Sequence, residues 1–497
     1  MKIVILGLGA AGFGAAFTIS RQYRDANVII LDEKGYLGHP CGLPFYLGGE
    51  IKDIDNLKQD IHLGSRVQLI KDRATGIDTK RKTVKTENEE VGYDKLIIAT
   101  GSKPFIPIKV PEKFINNGVY TVSGIEDTTK LYEAATKGKS AVVVGAGAIG
   151  LETAIALAEL GLNVKVIEME SSAFPMAIDK DVSDVLIKYL KKRGIEIEFE
   201  KRIESVNGKE SLESVIIDGQ EIKTDIVVMA TGVRPNSGIA EAAGMEINRL
   251  GISVNDRMDA SIKNVYAAGD CAANPIKLAT SAYMQGIVAG ANAAGGNLSY
   301  RGSLGTFVSV IGNMEVAATG YNSKTAKFNK YEFEAIQGAN WFDGVKILAD
   351  LDGKIIGAQS IGQGSAARIN VIATAIRAGM SLEELYDIDY ITKDGTVTIG
   401  KEADITGRAK GLTKPDWYGK GEEVKVELYA DSNSSKVTGA KLEGKGAAWR
   451  ANALLIAIKK GMTLSDIAGL EFAYCPAVSN HYDVINSAAE LGLRRIK

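Results

Sequence analysis

The sequence contains little of what several common protein classes require. It has 3 cysteines and 3 histidines among 497 residues, so we expect neither a disulfide framework nor a metal site. Its 59 basic and 61 acidic residues leave a net charge of −2, which argues against a nucleic-acid partner. No apolar run reaches the ~18 residues of a membrane span. The first glycines also interrupt the opening apolar stretch too early for a signal peptide. We therefore expect a cytoplasmic protein with no membrane partner.

Proline is also scarce, with 10 residues, whereas glycine is abundant, with 55. This balance indicates repeated tight strand-to-helix turns rather than flexible linkers. The first such turn is a G-x-G-x-x-G sequence, Gly7, Gly9 and Gly12, between an apolar strand and an Ala-rich helix. Glu33 follows the next strand, 21 residues beyond Gly12. The glycines allow the backbone to approach a pyrophosphate, and an acid at that position accepts ribose hydroxyls.

The same pattern occurs a second time. Gly145, Gly147 and Gly150 follow the strand 140–144, and Glu168 follows the strand 163–167. Two complete fingerprints in one chain predict two bound dinucleotides. Two dinucleotides in turn predict electron transfer between them.

The order of these motifs resembles that of the flavin-dependent pyridine nucleotide-disulfide oxidoreductases. The matching segments are GLGAAG, ATGSKP (99–104), GAGAIGLE (145–152), ATGVRPN (230–236) and AAGDCA (267–272). The resemblance implies that FAD binds the first fingerprint and NADH the second. It implies FAD contacts for Gly7, Gly9, Gly12, Glu33 and Asp270, nicotinamide-nucleotide contacts for Gly145, Gly147, Gly150, Glu152 and Glu168, and further cofactor contacts for Lys34, Thr100, Gly101 and Gly232.

The C-terminal part contains an internal repeat. Gly379-Met380 recurs as Gly461-Met462, and residues 344–390 resemble 424–474 with an offset of 82. Both copies resemble the family's dimerisation domain, which normally occurs once. The predicted fold is therefore α/β, with two Rossmann-like domains (FAD and NAD) and a tandem pair of α+β dimerisation-like domains. The predicted segments are 1–110 and 236–320 for FAD, 111–235 for NAD, 321–400 for the first copy and 401–497 for the second.

Cys41 is the candidate redox residue. It lies in Gly38-His39-Pro40-Cys41-Gly42-Leu43-Pro44, where a loop leads into a helix whose N-terminus would favour a thiolate. The segment resembles the single-cysteine branch of the family: coenzyme A-disulfide reductases, persulfide or polysulfide reductases, and NADH oxidases. This resemblance implies electron flow from NADH through FAD to Cys41, and then to a small-molecule disulfide, persulfide or polysulfide. His39 could bond the thiolate or protonate a leaving thiol, whereas Cys271 is expected to serve in packing.

Three features bear on the substrate. The first fingerprint has no histidine where related peroxidases place one, which argues against a peroxidase. Met284 and Ile287 stand in a stretch where the related coenzyme A-disulfide reductases have basic residues, and they cannot bind phosphates. Arg21 and Arg24 could do so, so coenzyme A disulfide stays possible as a substrate. Glu168 would repel a 2′-phosphate, and residues 169–174 contain no basic residue to offset it, so we predict a preference for NADH over NADPH.

The end of the second copy resembles the family segment that approaches the redox cysteine of the partner subunit. Resemblance therefore implies a homodimer, and we predict that Tyr474 hydrogen-bonds a thiolate or leaving sulfur at Cys41 of the other chain. Cys475 could supply a resolving thiol there, or it could simply be a small packing residue. His481 could act as an acid or base at the same edge.

Other functions stay open at this point. The chain could be an NADH oxidase or diaphorase that passes electrons to O₂ or quinones. It could instead be the NADH-oxidising subunit of a larger electron-transfer complex, with the extra copy as a docking surface.

Overall fold

The computed structural model describes residues 1–496. The strands, in chain order, are β1 (Lys2–Leu6), β2 (Asn27–Asp32), β3 (Leu37–Gly38), β4 (Lys58–Gln59), β5 (Val67–Lys71), β6 (Ala74–Asp78), β7 (Thr83–Thr86), β8 (Glu90–Gly92), β9 (Lys95–Ile98), β10 (Ser102–Pro104), β11 (Val119–Tyr120), β12 (Ser140–Val144), β13 (Asn163–Ile167), β14 (Glu196–Glu198), β15 (Ile203–Asn207), β16 (Ser214–Ile217), β17 (Gln220–Lys223), β18 (Ile226–Met229), β19 (Val233–Pro235), β20 (Ile247–Asn248), β21 (Gly251–Ile252), β22 (Val265–Ala267), β23 (Phe307–Ile311), β24 (Met314–Gly320), β25 (Phe333–Gln337), β26 (Val345–Asp350), β27 (Ile355–Ile361), β28 (Gly395–Gly400), β29 (Ile405–Leu412), β30 (Glu423–Ala430) and β31 (Val437–Gly444).

The helices, in the same order, are α1 (Ala10–Gln22), α2 (Leu43–Leu47), α3 (Ile125–Ala135), α4 (Ala148–Glu159), α5 (Lys180–Lys192), α6 (Gly238–Ala242), α7 (Ala279–Ala293), α8 (Ser323–Phe328), α9 (Ser365–Arg377), α10 (Leu382–Tyr386), α11 (Ala447–Lys459), α12 (Leu464–Ala468) and α13 (Val484–Leu493). Among the described residues, no helix is long and apolar enough to cross a bilayer.

The chain divides into two compact units. The first unit comprises residues 1–40, 54–105 and 232–303. The second unit comprises residues 41–53, 106–231 and, within the described part of the chain, 304–496. This division places Cys41 in the second unit, together with the NAD segment and both repeats, whereas the sequence placed it within the segment 1–110. The five predicted segments themselves stay a prediction.

The first unit is built on a parallel sheet of order β22-β9-β1-β2-β5. Successive residues of β1 alternate between two cores, with Ile3 and Ile5 in one and Val4 and Leu6 in the other. A parallel sheet with both faces covered explains why its strands are apolar throughout. Helix α7 packs closely on α1, since a Cβ at Gly286 would lie only 2.1 Å from the Ala11 carbonyl oxygen.

The second unit contains another parallel sheet, of order β11-β18-β12-β13-β14. Both parallel sheets place a glycine turn directly after their central strand, β1 or β12, and a helix after the turn. These two doubly wound arrangements confirm the Rossmann-like part of the predicted fold.

The second unit also contains two antiparallel sheets, each covered by a long helix. The first repeat (314–386) has strand order β24-β27-β26-β25 with the extra edge strand β23, and the second repeat (395–468) has order β28-β31-β30-β29. Helix α9 follows the first set of strands and α11 the second. Gly364 and Gly446, 82 positions apart, begin these helices in the same left-handed conformation, with φ of 79° and 76°. The structure confirms the tandem α+β pair.

Candidate functional site

The first glycine loop forms an open cradle at the start of α1. The N–H of Gly7 donates to the Leu31 carbonyl at 2.8 Å, and a Cβ at Gly7 would collide with the Ala99 carbonyl oxygen at 2.4 Å. A Cβ at Gly9, in contrast, would meet nothing within 4 Å. Gly9 also starts α1 without a side-chain cap, so the first N–H groups of the helix stay available to an anion. The loop therefore fits the diphosphate of FAD.

The second loop repeats this geometry. Gly145 donates to the Ile167 carbonyl at 2.8 Å, and a Cβ there would lie 2.3 Å from the Ala230 carbonyl oxygen. A Cβ at Gly147 would meet nothing within 4 Å, and α4 likewise begins without a side-chain cap. Each unit thus carries its own dinucleotide cradle.

An acidic residue stands at the end of the strand that follows each glycine loop, and the register of that strand decides which residue faces the loop. Glu168 accepts the Ala146 N–H at 2.7 Å, inside the second glycine turn. In the first unit the equivalent bond, from the Leu8 N–H at 2.8 Å, goes to Asp32. Glu33, which the sequence assigned to the ribose, is exposed and lies 3.9 Å from the Arg73 guanidinium. We therefore propose Asp32 in place of Glu33 as the ribose-binding acid.

Hydrogen bonds connect the other predicted FAD-binding segments of the first unit. Thr100 donates through its hydroxyl to the Asn236 carbonyl at 2.7 Å, and the Asn236 side chain donates back to the Thr100 carbonyl at 2.9 Å. Ser102 donates to the Asp270 carboxylate at 2.7 Å. The sequence missed Ser102 and Asn236, although both lie within the ATGSKP and ATGVRPN motifs. Gly101 and Gly232 have left-handed backbones, while the Lys34 side chain is exposed.

Cys41 lies in the 3-10 turn Pro40–Gly42, directly before α2. It is partly exposed, whereas Cys271 and Cys475 are buried, and all three residues are thiols. Helix α2 has only five residues, so its dipole is smaller than the sequence argument assumed. The helix nevertheless anchors the turn, since Leu43, Phe45 and Leu47 are almost fully buried.

Tyr474 and Cys475 lie beside Cys41 of the same chain. Burial raises the pKa of the Tyr474 phenol well above its usual value, and the neighbouring Cys41 and Cys475 thiols raise it further. Burial likewise raises the pKa of Cys475, with Glu152 and Cys41 adding to the effect. The sequence predicted this approach between two chains. The structure forms it within one chain, because packing of α11 on α9 brings the second repeat onto the first.

Glu152 is the carboxyl group of this cluster. The Ser309 hydroxyl donates to its Oε1 at 2.6 Å. Desolvation raises the pKa of Glu152 to about 7, against the opposing effect of hydrogen bonds from Ser309 and the Val310 backbone. A carboxyl with this pKa can both hold and release a proton at neutral pH. The sequence placed Glu152 near the nicotinamide but gave no signal of its perturbed pKa.

Tyr418 is a residue of the thiol cluster that the sequence did not predict. Its ring packs edge-on against Phe45 of α2, with centroids 5.2 Å apart. Burial raises its pKa, and Glu50, Cys475 and Glu152 raise it further. The sequence assigned it to the second copy, 401–497, but no motif distinguishes this tyrosine. Tyr418 connects the second repeat to the helix that follows Cys41.

The two histidines and the remaining cysteine have different surroundings. In the first unit, His39 Nε2 lies 2.9 Å from the Gln59 side-chain oxygen, and its backbone N–H donates to Leu57. The His481 ring packs edge-on against Tyr474, with centroids 5.9 Å apart, so it buttresses that phenol. Cys271 is fully buried and its thiol bonds to the Ile98 carbonyl at 3.3 Å, as expected of a packing residue.

Comparison with known proteins agrees with this architecture. An NADH oxidase of Methanocaldococcus jannaschii is 33% identical over 423 residues, which span 78% of this chain and 94% of that protein. A CoA-dependent NAD(P)H sulfur oxidoreductase of Pyrococcus furiosus is 30% identical over 429 residues, with the same two coverages of 78% and 94%. The relatives therefore account for about four fifths of the chain.

A similar structure is that of an NAD-dependent persulfide reductase from A. fulgidus. It superposes with a TM-score of 0.64 at 27% identity, covering 100% of this chain and 83% of that one. The family profile described as pyridine nucleotide-disulphide oxidoreductase matches residues 1–286, more than half of the chain. The chain therefore belongs to the pyridine nucleotide-disulphide oxidoreductase family and is an NADH-dependent FAD enzyme.

Proposed function

We propose that this enzyme uses electrons from NADH to reduce a sulfur–sulfur bond at Cys41. The observation that carries the proposal is the group of proton donors around that thiol: the Tyr474 phenol, the Cys475 thiol and the Glu152 carboxyl. A thiolate that attacks a disulfide, persulfide or polysulfide expels a sulfur anion, which must then be protonated. The cluster supplies the groups for that proton transfer.

The glycine cradles and their acids assign the cofactors. Residues of the first loop, with Asp32 and Asp270, would hold FAD, and residues of the second loop, with Glu168, would hold NADH. When bound, FAD supplies the two-electron connection between NADH and the thiol. The protein's own contribution is to bind both nucleotides and to manage protons at sulfur.

In the first step the Cys41 thiolate attacks one sulfur of RS–SR′. A bond forms between Cys41 Sγ and the RS sulfur, the RS–SR′ bond breaks, and R′S⁻ leaves and takes up a proton. The elevated pKa of Cys475 keeps it a thiol at neutral pH, so Cys41 is the better nucleophile of the pair.

In the second step two electrons from NADH and one proton cleave the mixed disulfide. The products are the Cys41 thiolate and RSH, so the sum is NADH + H⁺ + RS–SR′ → NAD⁺ + RSH + R′SH. Tyr474, whose raised pKa keeps it a neutral phenol, can donate a hydrogen bond to the sulfur that becomes negative. Glu152, with a pKa of about 7, can deliver and recover the proton.

A second candidate is reduction of O₂. It is favoured by the relative from Methanocaldococcus jannaschii, which is an NADH oxidase. Peroxide formed from O₂ and a first NADH would then oxidise the Cys41 thiolate to a sulfenate, with release of one water. A second NADH and one proton, supplied through the same cluster, would reduce the sulfenate to the thiolate, with NAD⁺ and a second water as the other products. Sulfur acceptors rank first here, because the first fingerprint has alanines where related peroxidases have a histidine.

Steady-state assays with coenzyme A disulfide, polysulfide and O₂ test the proposal. We expect the highest kcat/KM with a sulfur acceptor, and a loss of at least about 10²-fold in Cys41→Ser, since its nucleophile is gone. Cys271→Ser is the matched control, because it also removes a thiol but lies buried in the first unit. If Cys41→Ser keeps full sulfur reductase activity, the proposal is wrong. If O₂ is the best acceptor, the second candidate replaces it.

A further inference from the structure

The two repeats contact each other through reciprocal hydrogen bonds. Asn370 on α9 accepts the Ala473 N–H of the second repeat's tail at 2.7 Å. Asn452 on α11 accepts the Ile391 N–H of the first repeat's tail at 2.8 Å and donates to the Ile391 carbonyl at 3.0 Å. Asn452 lies 82 positions after Asn370, and Ala473 lies 82 positions after Ile391. Each repeat therefore makes the same contact to the other.

This reciprocity is the defining property of an interface with two-fold symmetry. In a homodimer, residue i of one subunit contacts j of the other, and j contacts i. Both asparagines are at most 2% exposed, so the contact lies within a packed core rather than at a rim. The pair α9 and α11 thus reproduces within one polypeptide the kind of contact that two identical subunits make.

The tails that leave this interface differ in their chemistry. The second repeat continues into Tyr474 and Cys475, beside Cys41. The positions 82 residues earlier are Thr392 and Lys393, followed by Asp394. Asp394 accepts the Gly446 and Ala448 N–H groups at 2.8 and 2.9 Å, at the start of α11. Each chain has a single Cys41 and a single Tyr-Cys tail to complete its thiol site.

Ion pairs and a short connection together favour pairing of a first repeat with the second repeat of its own chain. Lys459 and Lys460 of the second repeat bind Asp387 and Glu384 of the first at 2.7 and 2.9 Å. The residue 82 positions after Asp387 is Gly469, which has no carboxylate, so the second repeat cannot offer the equivalent ion pair to the first. Only residues 387–394 connect the two repeats. A connection this short gives an effective concentration in the millimolar range, well above that of a second chain in solution.

We propose that the second repeat occupies, within its own chain, the position that a partner subunit's domain takes in a homodimer, so that each chain completes its own thiol site. This arrangement replaces the homodimer implied by the sequence resemblance. It also accounts for the extra repeat without an external docking partner. The inference concerns which chain supplies Tyr474 and Cys475, and it rests on the proposed function only in its kinetic test.

Complementation between two defective chains tests the proposal. One chain carries Cys41→Ser, and the other carries Tyr474→Phe with Cys475→Ser; the two are co-expressed with different affinity tags. If sites form within one chain, the mixture has the mean activity of the two variants purified separately. If sites form between chains, random pairing restores about a quarter of wild-type turnover. Such a gain would overturn the proposal.

Sedimentation of the FAD-loaded wild-type enzyme gives a readout that does not depend on turnover. We expect the mass of one chain across micromolar concentrations, whereas an obligate dimer at every concentration would contradict a self-sufficient chain. All three substitutions preserve side-chain volume closely, so both variants should fold and bind FAD, which their yellow colour verifies. If Cys41→Ser keeps full activity, the proposed function fails, and the mass alone then decides this inference.

Discussion

Replacing Glu152 by glutamine tests the proton chemistry of the cluster. Gln preserves the shape of the side chain and can still accept the Ser309 hydrogen bond of 2.6 Å through Oε1, but it cannot transfer a proton. Because desolvation raises the pKa of Glu152 to about 7, we expect wild-type turnover with a sulfur acceptor to decline above neutral pH. General acid catalysis typically contributes about 10²-fold or more, so Glu152→Gln should lose about that much kcat.

The same substitution has a consequence for stability. A carboxyl whose pKa rises from 4.5 to about 7 on folding binds more protons in the folded state, so its contribution falls as pH rises between these values. At about 1.4 kcal/mol per unit, the full effect reaches about 3 kcal/mol. Wild-type protein should therefore lose more thermal stability than Glu152→Gln between pH 5 and pH 8.

The assay is a pH profile of kcat and of the thermal midpoint for both proteins. Glu159→Gln is the matched control, since Glu159 lies two turns further along the same helix α4, is exposed and pairs with Arg193 at 3.3 Å. The control should keep the wild-type profile. An inflection near pH 7 that persists unchanged in Glu152→Gln would refute the assignment of the proton to this carboxyl.

Three further predictions concern the nucleotides and the second thiol. Asp32→Asn should weaken FAD retention about tenfold or more, because a charge-assisted hydrogen bond contributes about 1.5–3 kcal/mol, whereas Glu33→Gln should retain FAD like the wild type. If both variants retain the same amount of FAD after desalting, the assignment of Asp32 is wrong. Wild-type enzyme should show a higher kcat/KM for NADH than for NADPH, and Glu168→Ala should narrow the difference; a native preference for NADPH would exclude this role of Glu168. Cys475→Ser should keep turnover within about fivefold of wild type, since a neutral hydrogen-bond donor contributes about 1 kcal/mol; a loss as deep as that of Cys41→Ser would instead make Cys475 the resolving thiol.

The glycine fingerprints could be predicted from sequence because a side chain at each of these positions would clash with nearby backbone or fill the space for a phosphate. Gly7 and Gly145 lie against neighbouring carbonyls, and Gly9 and Gly147 leave space for a phosphate. Such constraints act within a few residues along the chain, so the sequence pattern encodes them directly.

The choice between Asp32 and Glu33 could not be read in the same way. Two acids stand side by side, and only the strand register decides which one faces the loop. The bond from Gly7 to Leu31 sets that register and directs the next residue, Asp32, to the Leu8 N–H.

The contents of the thiol cluster depend on long-range packing. The stretch from Lys393 to Glu423 is rich in Gly, Lys and Asp, a composition that gives no signal of a core element. It nevertheless contains β28 and β29, completes the second sheet, and positions Tyr418 against Phe45. Likewise, no local signal distinguishes a tail that reaches its own Cys41 from one that reaches a partner's. That distinction follows from the packing of α9 against α11 and from the short connection between the repeats.

Trapping of substrate on Cys41 tests the central claim most directly. The oxidised, FAD-loaded enzyme is mixed anaerobically with a small disulfide, quenched with acid, digested and analysed by mass spectrometry. We predict an adduct of one substrate half on the peptide that contains Cys41, which disappears when NADH is added before the quench. The Cys271 and Cys475 peptides should stay unmodified. Rapid NADH-dependent reduction of the disulfide without any adduct on Cys41 would contradict the account.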